Sequence, residues 1–521
     1  MLQSVSRPGV CAVLCTALHP SGARRSGRRL AALIALGTLL NCAVGPDYAE
    51  PELELPDAWH LELSRGLREG SSDLRTWWKA LDDPVLDGLI DRAALGNLDL
   101  KEAMARVLEA RALRGVARGA WFPSADASGS YLERQTTEGL AELVSPSGKR
   151  SFETYDLGLD ASWEIDVFGR IRRSTESAQA SLMASVEDYR DVLVVLYADV
   201  ASVYVELRAL QQRLHYAISN AESQGATLQL TRDRNRAGLA ADLDVRQAEL
   251  NVATTEAFIP FLENGVGRSL HQLGVLVGEP PGALVAELEA PLPIPDPPAE
   301  IAVGLPATLL RQRPDVRSAE RQLAAQTARI GVATADLYPR FSLVGTFALS
   351  ALDGADLFRK GSTQYGVGPT LVWNLFDGGR IRNLVNVEDA RTQQALARYE
   401  KAFLLALEDV ENAMLAYARE ADREAALARS VVAAEESVSL VRTLYRTGLT
   451  DFQNVLDMER SLFQQQDQLA ESEGLVVQNL IRLYRALGGG WDASPASPSA
   501  GPGAPLASGA PGSGPPPGRD P

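Results

Sequence analysis

From Tyr155 to Ile165 apolar and polar residues alternate one for one. Tyr155, Leu157, Leu159, Ala161, Trp163 and Ile165 fall on odd positions, and Asp156, Gly158, Asp160, Ser162 and Glu164 on even ones. Successive side chains of a strand point to opposite faces, so this spacing predicts a strand with one apolar and one acidic face. Further on, Tyr365, Val367, Leu371, Trp373 and Leu375 alternate with Gly366, Gly368, Thr370 and Asn374. Ala125 to Leu132 and Phe341 to Ser350 read as partner strands with weaker alternation. Segments of about 10 residues with this pattern suit the wall of a transmembrane barrel. A soluble sheet with one wet face would give the same alternation. The acidic run Asp156, Asp160, Glu164 and Asp166 prefers water, which a water-filled lumen supplies.

A different period follows. No proline occurs between Gly169 and Pro260, and Leu193, Tyr197, Val200, Tyr204, Leu207 and Leu214 recur at 4-3 spacing with Gln211 as a polar break. Phe403, Leu407, Val410, Met414 and Tyr417 hold the same register later in the chain. This is the seam of a coiled coil. A helix from Ile171 to about Asn235 would reach roughly 100 Å, far beyond an ordinary globular helix.

The two patterns occur twice because the sequence is duplicated. Gly115-Val116-Ala117 returns as Gly331-Val332-Ala333, Pro123 as Pro339 and Asp99 as Asp315, all at an offset of 216. Trp163 returns as Trp373, Gly169-Arg170-Ile171-Arg172 as Gly379-Arg380-Ile381-Arg382, Tyr189 as Tyr399, and Arg236, Gly238 and Leu239 as Arg446, Gly448 and Leu449, all at an offset of 210. Each copy reads as helix, strand, strand, long helix, turn, helix. The expected divisions are residues 42–290 for the first copy with a lead segment, 291–299 for a Pro-rich linker, and 300–491 for the second copy. Residues 492–521, rich in Pro, Gly, Ser and Ala, form a tail expected to be disordered.

Four strands cannot close a barrel, and open sheet edges are not tolerated in lipid. Several chains must therefore contribute, and three would supply a twelve-stranded barrel. The expected fold class is mixed α with transmembrane β, built on a duplicated helix–strand–strand–long helix–helix repeat. The net charge of −16 argues against a nucleic-acid partner. Residues 1–41 read as a lipoprotein-type signal peptide: Arg24, Arg25, Arg28 and Arg29 precede the apolar run Leu30 to Leu40, which is short of the about 20 residues a spanning helix needs. Leu39-Leu40-Asn41-Cys42 resembles a bacterial lipobox, with Cys42 as the lipidation site, although Asn41 departs from the small residue usual there.

These residues resemble the TolC-like outer-membrane factors, in particular the NodT-like efflux lipoprotein branch. The likeness covers Cys42 to Trp491. It is carried by Gly45-Pro46-Asp47-Tyr48, Trp77-Trp78, Trp163 to Arg170, Leu305-Pro306 with Leu309 to Val316, Tyr445 to Gly448, and Tyr484 to Trp491. The resemblance implies a homotrimer forming a 12-stranded β-barrel continued by a periplasmic coiled-coil α-barrel, an inner-membrane pump that drives export, a periplasmic adaptor (membrane fusion) protein, and outer-membrane lipid around the barrel. It implies that Arg236, Gly238, Leu239, Arg446, Gly448 and Leu449 lie at helix-turn tips that meet the adaptor. It also implies a periplasmic constriction at Asp457, with Arg460 one turn beyond and Asp244 at the related place in the first copy; Gln453 stands where several members have an apolar residue.

No zinc-spaced histidine pair and no Gly-rich phosphate loop occurs, so no catalytic residue, cofactor or metal is expected. The reading is a passive duct of a tripartite efflux system for small molecules such as drugs and toxic compounds. A type I protein-secretion duct and a structural coiled-coil envelope lipoprotein are the alternatives.

Overall fold

The computed structural model describes residues 43–52, 58–61, 63–70, 74–135, 137, 151–304 and 312–491. Cys42, the signal segment, the tail and the opening Leu305 to Arg311 of the second copy lie outside the described residues. The strands are β1 (Leu67–Glu69), β2 (Ser124–Gln135), β3 (Ser151–Ile165), β4 (Ile301–Val303), β5 (Arg340–Ala351) and β6 (Thr363–Val372). The helices are α1 (Pro84–Gly96), α2 (Leu98–Gly119), α3 (Arg170–Arg236), α4 (Asp242–Leu276), α5 (Val285–Leu288), α6 (Pro314–Ala335), α7 (Arg380–Thr447) and α8 (Phe452–Ala486). The alternating segments are strands, and the long proline-free stretches are helices of 67 and 68 residues. One boundary differs: β6 ends at Val372, so Trp373 and Leu375, read as strand, lie in the connection to α7. The Trp373 indole instead donates to the Leu337 carbonyl at 3.1 Å, closing the corner between β6 and the segment before β5.

The chain divides into two compact units, each drawing on both sequence copies. The first contains an antiparallel sheet in the order β2-β3-β5-β6. Leu157, Leu159, Val367 and Leu371 are exposed on it. No described helix is long and apolar enough to cross a membrane.

The second unit holds the larger apolar core. Leu86, Val200, Tyr204, Leu207, Leu262, Leu273 and Leu480 are fully buried there. Two features of this unit escape the periodicity reading: a short 3-10 helix, Leu74–Leu81, and the parallel pair β1–β4. The helix seats Trp77 in a stack on Tyr484, with ring centroids 5.2 Å apart, and Trp78 edge-on to Tyr197 at 4.9 Å. Gln211, the polar break in the seam, is buried for a reason. Its amide donates to the Leu288 carbonyl at 2.8 Å, and the fully buried Arg208 donates to the Ala290 carbonyl at 3.0 Å. The two side chains satisfy carbonyls at the end of α5 that helix geometry leaves open.

Asp83 caps α1, accepting from Val85 N at 2.9 Å and Leu86 N at 3.2 Å, while Pro84 fills the first helical position without wasting a donor. Its second oxygen accepts the Tyr204 hydroxyl at 2.6 Å. Burial, reinforced by this bond, pushes the Tyr204 phenol from its ordinary 10.0 up to about 12. A raised phenol pKa contributes stability that is complete below about pH 10 and is lost as pH rises through about 12. Asp83→Ala should cost about 2 kcal/mol, since it removes a cap and strands a buried hydroxyl. Asp83→Asn should retain most of that. Equal chemical-denaturation midpoints for the two variants would refute the assignment.

Candidate functional site

Two regions concentrate the polar chemistry. In the first unit, the even-numbered residues of β3 continue across the sheet. Asp156 stands opposite Ser130 and Ser350 and accepts from both hydroxyls, at 3.3 and 2.6 Å. Asp126 faces Asp160 directly across the β2–β3 ladder. Two like charges at strand spacing repel by about 1 kcal/mol in water and several-fold more in a dry medium. This face therefore belongs against water, and the apolar face is free for hydrocarbon.

In the second unit, the two helix-turn ends come together. Both long helices close with the same geometry. Gly238 (φ +72°) follows α3, and Leu239 N reaches back to Arg234 O at 2.8 Å. Gly448 (φ +77°) follows α7, and Leu449 N reaches Leu444 O at 2.9 Å. The six-to-one bond with a left-handed residue is the Schellman arrangement, for which glycine carries no steric cost. Leu239 and Leu449 are thereby thrust outward, 67% and 75% exposed. Arg236 and Arg446 are exposed beside them, Arg236 paired with Asp233.

The turns are joined by residues that the sequence reading did not single out for this role. The Arg234 guanidinium lies 4.7 Å over the Tyr445 ring and donates to the carbonyls of Tyr445 at 2.8 Å and Arg446 at 3.3 Å. It caps the end of α7 from the other copy. Beneath it Ala248, Val441, Tyr445, Phe452, Val455 and Leu456 form one buried cluster drawn from both helix pairs. Deeper still, the Arg442 guanidinium holds the buried Glu459 carboxylate at 2.8 Å, and the Thr227 hydroxyl donates to the same oxygen. The signal available in the sequence was Tyr445 within the quoted turn motif; its partner is 211 residues away.

The three constriction candidates fall on two helices. Asp457 is exposed on α8 and accepts from the Gln453 amide at 2.8 Å. Arg460 does not engage Asp457; its Nε donates to Asn251 Oδ1 of α4 at 3.1 Å. Asp244 accepts from Ala241 N at 3.3 Å and so caps the first turn of α4. Asp457 and Arg460 are both exposed on α8, whereas Asp244 is half-buried. If the Arg234 contact joins the turns, Arg234→Ala should speed amide exchange in residues 444–450 about tenfold and leave mid-helix α7 amides unchanged. Uniform exchange across both segments would count against it.

The comparisons with known proteins agree on one family. The family model described as outer membrane efflux protein matches residues 89–279 and 305–489, one stretch in each sequence copy. The chain is 34% identical over 451 residues to Nodulation protein T of Rhizobium leguminosarum bv. trifolii, covering 86% of this chain and 94% of that protein. It is 33% identical over 471 residues to the pyoverdine export outer membrane protein OpmQ of Pseudomonas aeruginosa, covering 89% and 96%. The solved outer-membrane channel OprN matches with a TM-score of 0.79 at 37% identity, over 86% of this chain and 100% of that one. An acid-lined sheet with an apolar reverse, two long helix pairs and these matches lead to one conclusion: the chain belongs to the outer membrane efflux protein family.

Proposed function

We propose that this chain is one protomer of a trimeric outer-membrane duct that passively exports small molecules, driven by an inner-membrane pump through a periplasmic adaptor. The observation that carries the oligomer is the sheet β2-β3-β5-β6, in which β2 and β6 each have one neighbour among the described residues. Hydrocarbon does not tolerate such edges, and three copies closing into twelve strands remove them. The acidic face of β3 then lines the lumen. The name of the relative that exports pyoverdine supports a small-molecule cargo.

The two-copy division at 42–290 and 300–491 fits this reading, with 1–41 as signal, 291–299 as linker and 492–521 as tail. Cys42 is the lipid attachment point. The exposed turns at Arg236, Gly238, Leu239, Arg446, Gly448 and Leu449 offer paired leucine knobs to the adaptor. Asp457, repeated around a threefold axis, makes an acidic ring at the constriction. Arg460 and Asp244 act beside it as supports, since their polar groups are engaged within the protomer.

The deciding experiment is the efflux rate of a preloaded fluorescent dye from cells lacking the gene, with and without its restoration. Slower efflux rescued by the gene is expected; equal rates together with a changed set of secreted proteins would favour protein secretion. In planar bilayers Asp457→Ala should lower cation over anion selectivity roughly two- to five-fold, and unchanged selectivity removes Asp457 from the ring. Cys42→Ser should abolish palmitate labelling while the barrel still inserts; labelling that survives would place the anchor elsewhere.

A further inference from the structure

Four helices of the first unit lie side by side in the order of the strands they adjoin. The Trp121 indole, just past α2, donates to the Thr175 hydroxyl of α3 at 3.1 Å. Arg317 of α6 pairs with Glu187 of α3 at 2.9 Å, and the Gln326 amide of α6 donates to Glu388 of α7 at 2.6 Å. A cavity of about 760 Å³ touches α2, α3, α6 and α7. Four helices in a row can share one space only on the concave side of their layer. A second cavity, of about 440 Å³, adjoins the first, and Ser181, Ser185 and Arg329 line both.

The smaller cavity is a trough. Its floor is one stripe of α6, with Ala319, Gln322, Gln326 and Arg329 at i, i+3, i+7 and i+10. Its walls are Ser181, Ala184, Ser185 and Asp188 of α3, and Arg391, Gln394, Ala395 and Arg398 of α7. The walls are the same positions of the duplicated sequence, so that Arg391 corresponds to Ser181 and Arg398 to Asp188. On the floor Arg329 corresponds to Leu113. The three arginines are therefore particular to the second copy, and all three face one space.

Arg391 is engaged by the Glu388 carboxylate at 2.6 Å. Asp188, the one carboxylate among the described residues of the trough, accepts from the Ser318 hydroxyl. Arg329 donates to the Gln326 amide oxygen at 3.3 Å. Among the described residues neither Arg329 nor Arg398 makes an ion pair, and both are exposed. Arg391 and Arg398 are separated by roughly 10 Å of helix rise. The Gln326–Glu388 bond sets α6 against α7 and puts Arg329 roughly 9 Å beyond Arg391 on the other side. The result is a ladder of guanidinium groups in a chain of net charge −16.

The larger cavity adds apolar surface from Leu113, Ala117, Val332 and Leu384. Two of its charged residues are paired within the protein, Arg106 with Glu102 and Asp336 with Arg340, each at 2.5 Å. Glu109, on α2, stands two helices away from Arg329. An acid group is therefore welcome at the trough and an apolar body beside it. The guanidinium fork matches carboxylate, sulfonate and phosphate oxygens, and a cleft lined by one sign of charge concentrates the opposite sign. The sheet face bearing Asp156, Asp160 and Glu164 would repel the same ligand.

We propose that the trough is a transit subsite for amphipathic organic anions, with Arg329 and Arg398 receiving the acid groups and the larger cavity receiving the apolar body. The proposal deepens the duct reading, on which its lumenal placement rests. In the proposed ring the concave side of the helix layer faces the axis, and three troughs surround it. Exposure of the arginines keeps the hold weak, which a site inside a conduit requires if cargo is to leave.

The test uses the full-length protein and pyranine, a pyrene carrying three sulfonates. Binding is read by fluorescence anisotropy in non-ionic detergent, and block of conductance is read in planar bilayers. Saturable pyranine binding that weakens with salt is expected. Arg329→Gln and Arg398→Gln should each weaken it about three- to fivefold, and together about tenfold. Arg398→Asp, which installs the residue of the other copy, should weaken it at least as far as Arg398→Gln. Arg398→Lys should keep most of the affinity, which guards against misfolding as the cause. Block should weaken in step with binding. Binding of the cation ethidium should not fall in any variant. Absent pyranine binding, or binding that all these substitutions leave unchanged, overturns the proposal. Arginine-dependent binding without block of an open channel overturns the lumenal placement. A protein that forms no channel defeats the duct reading, while anisotropy still decides the anion site.

Discussion

A strand in hydrocarbon must find a protein partner for every backbone N–H and C=O, because no water is present to take their place and each orphan costs several kcal/mol. The four-stranded sheet meets this demand between its members, in register from Ser124↔Ser162 through Leu349↔Thr363. Among the described residues the outer edges of β2 and β6 have no strand neighbour, and in the proposed barrel neighbouring chains meet them. The duplication follows from the same demand. Each copy supplies one hairpin of the sheet, and β3–β5 is the internal seam where copy meets copy. In a ring of identical chains, β6 of one protomer would meet β2 of the next, so a heterologous contact of similar kind would repeat around the axis and close.

The helices inherit their positions from the strands. β3 ends at Ile165, and α3 begins at Arg170 after the left-handed Gly169. Asp166 accepts from Ile171 N at 3.0 Å and Arg172 N at 2.8 Å, starting the helix within a few residues of the sheet. In the second copy Asp377 does this work, accepting from Ile381 N at 2.8 Å and Gly379 N at 3.0 Å. Those backbone donors, led by Ile381, hold its carboxyl below the usual range. The two caps are one position out of step with the 210 offset, so the geometry was retained while the alignment slipped.

What was legible in the sequence was whatever a period encodes. The alternation at Tyr155 to Ile165 and the 4-3 seam through Val200, Tyr204 and Leu207 located β3 and the buried face of α3, because an element with two unlike faces carries its own period in the sequence. Three-residue strands such as β1 and β4 are too short to show a period, and their pairing across the chain is set by tertiary contact. Trp373 and Leu375 continued an alternation past the end of β6, since a connection crossing an apolar rim selects the same residue types as the strand. The turns were legible through their glycines, whereas the Arg234–Tyr445 contact was not. It depends on the two helix pairs meeting, which no local pattern records. Gln211 was visible as an exception in the seam, but its reason lay at Leu288.

How the turn region can move follows from the same packing. The two helix pairs of a protomer share the cluster around Tyr445, Phe452, Val455 and Leu456. They are also cross-linked by Arg213 with Asp467 at 2.7 Å, Asn220 with Gln466 at 2.7 Å, and Arg460 with Asn251 at 3.1 Å. Separating the pairs would expose several apolar side chains at about 1.5–3 kcal/mol each and leave buried polar groups unpaired at a further 1–3 kcal/mol each. Mutual repulsion of solvent-exposed carboxylates such as Asp457 is weaker, at about 1 kcal/mol or less for neighbouring charges in water. A ring of such charges therefore lacks the energy to pull one protomer's helix pairs apart. In the proposed trimer, the motion that widens a constriction would fall between protomers, with each set of two turns moving as one body on the Arg234 contact.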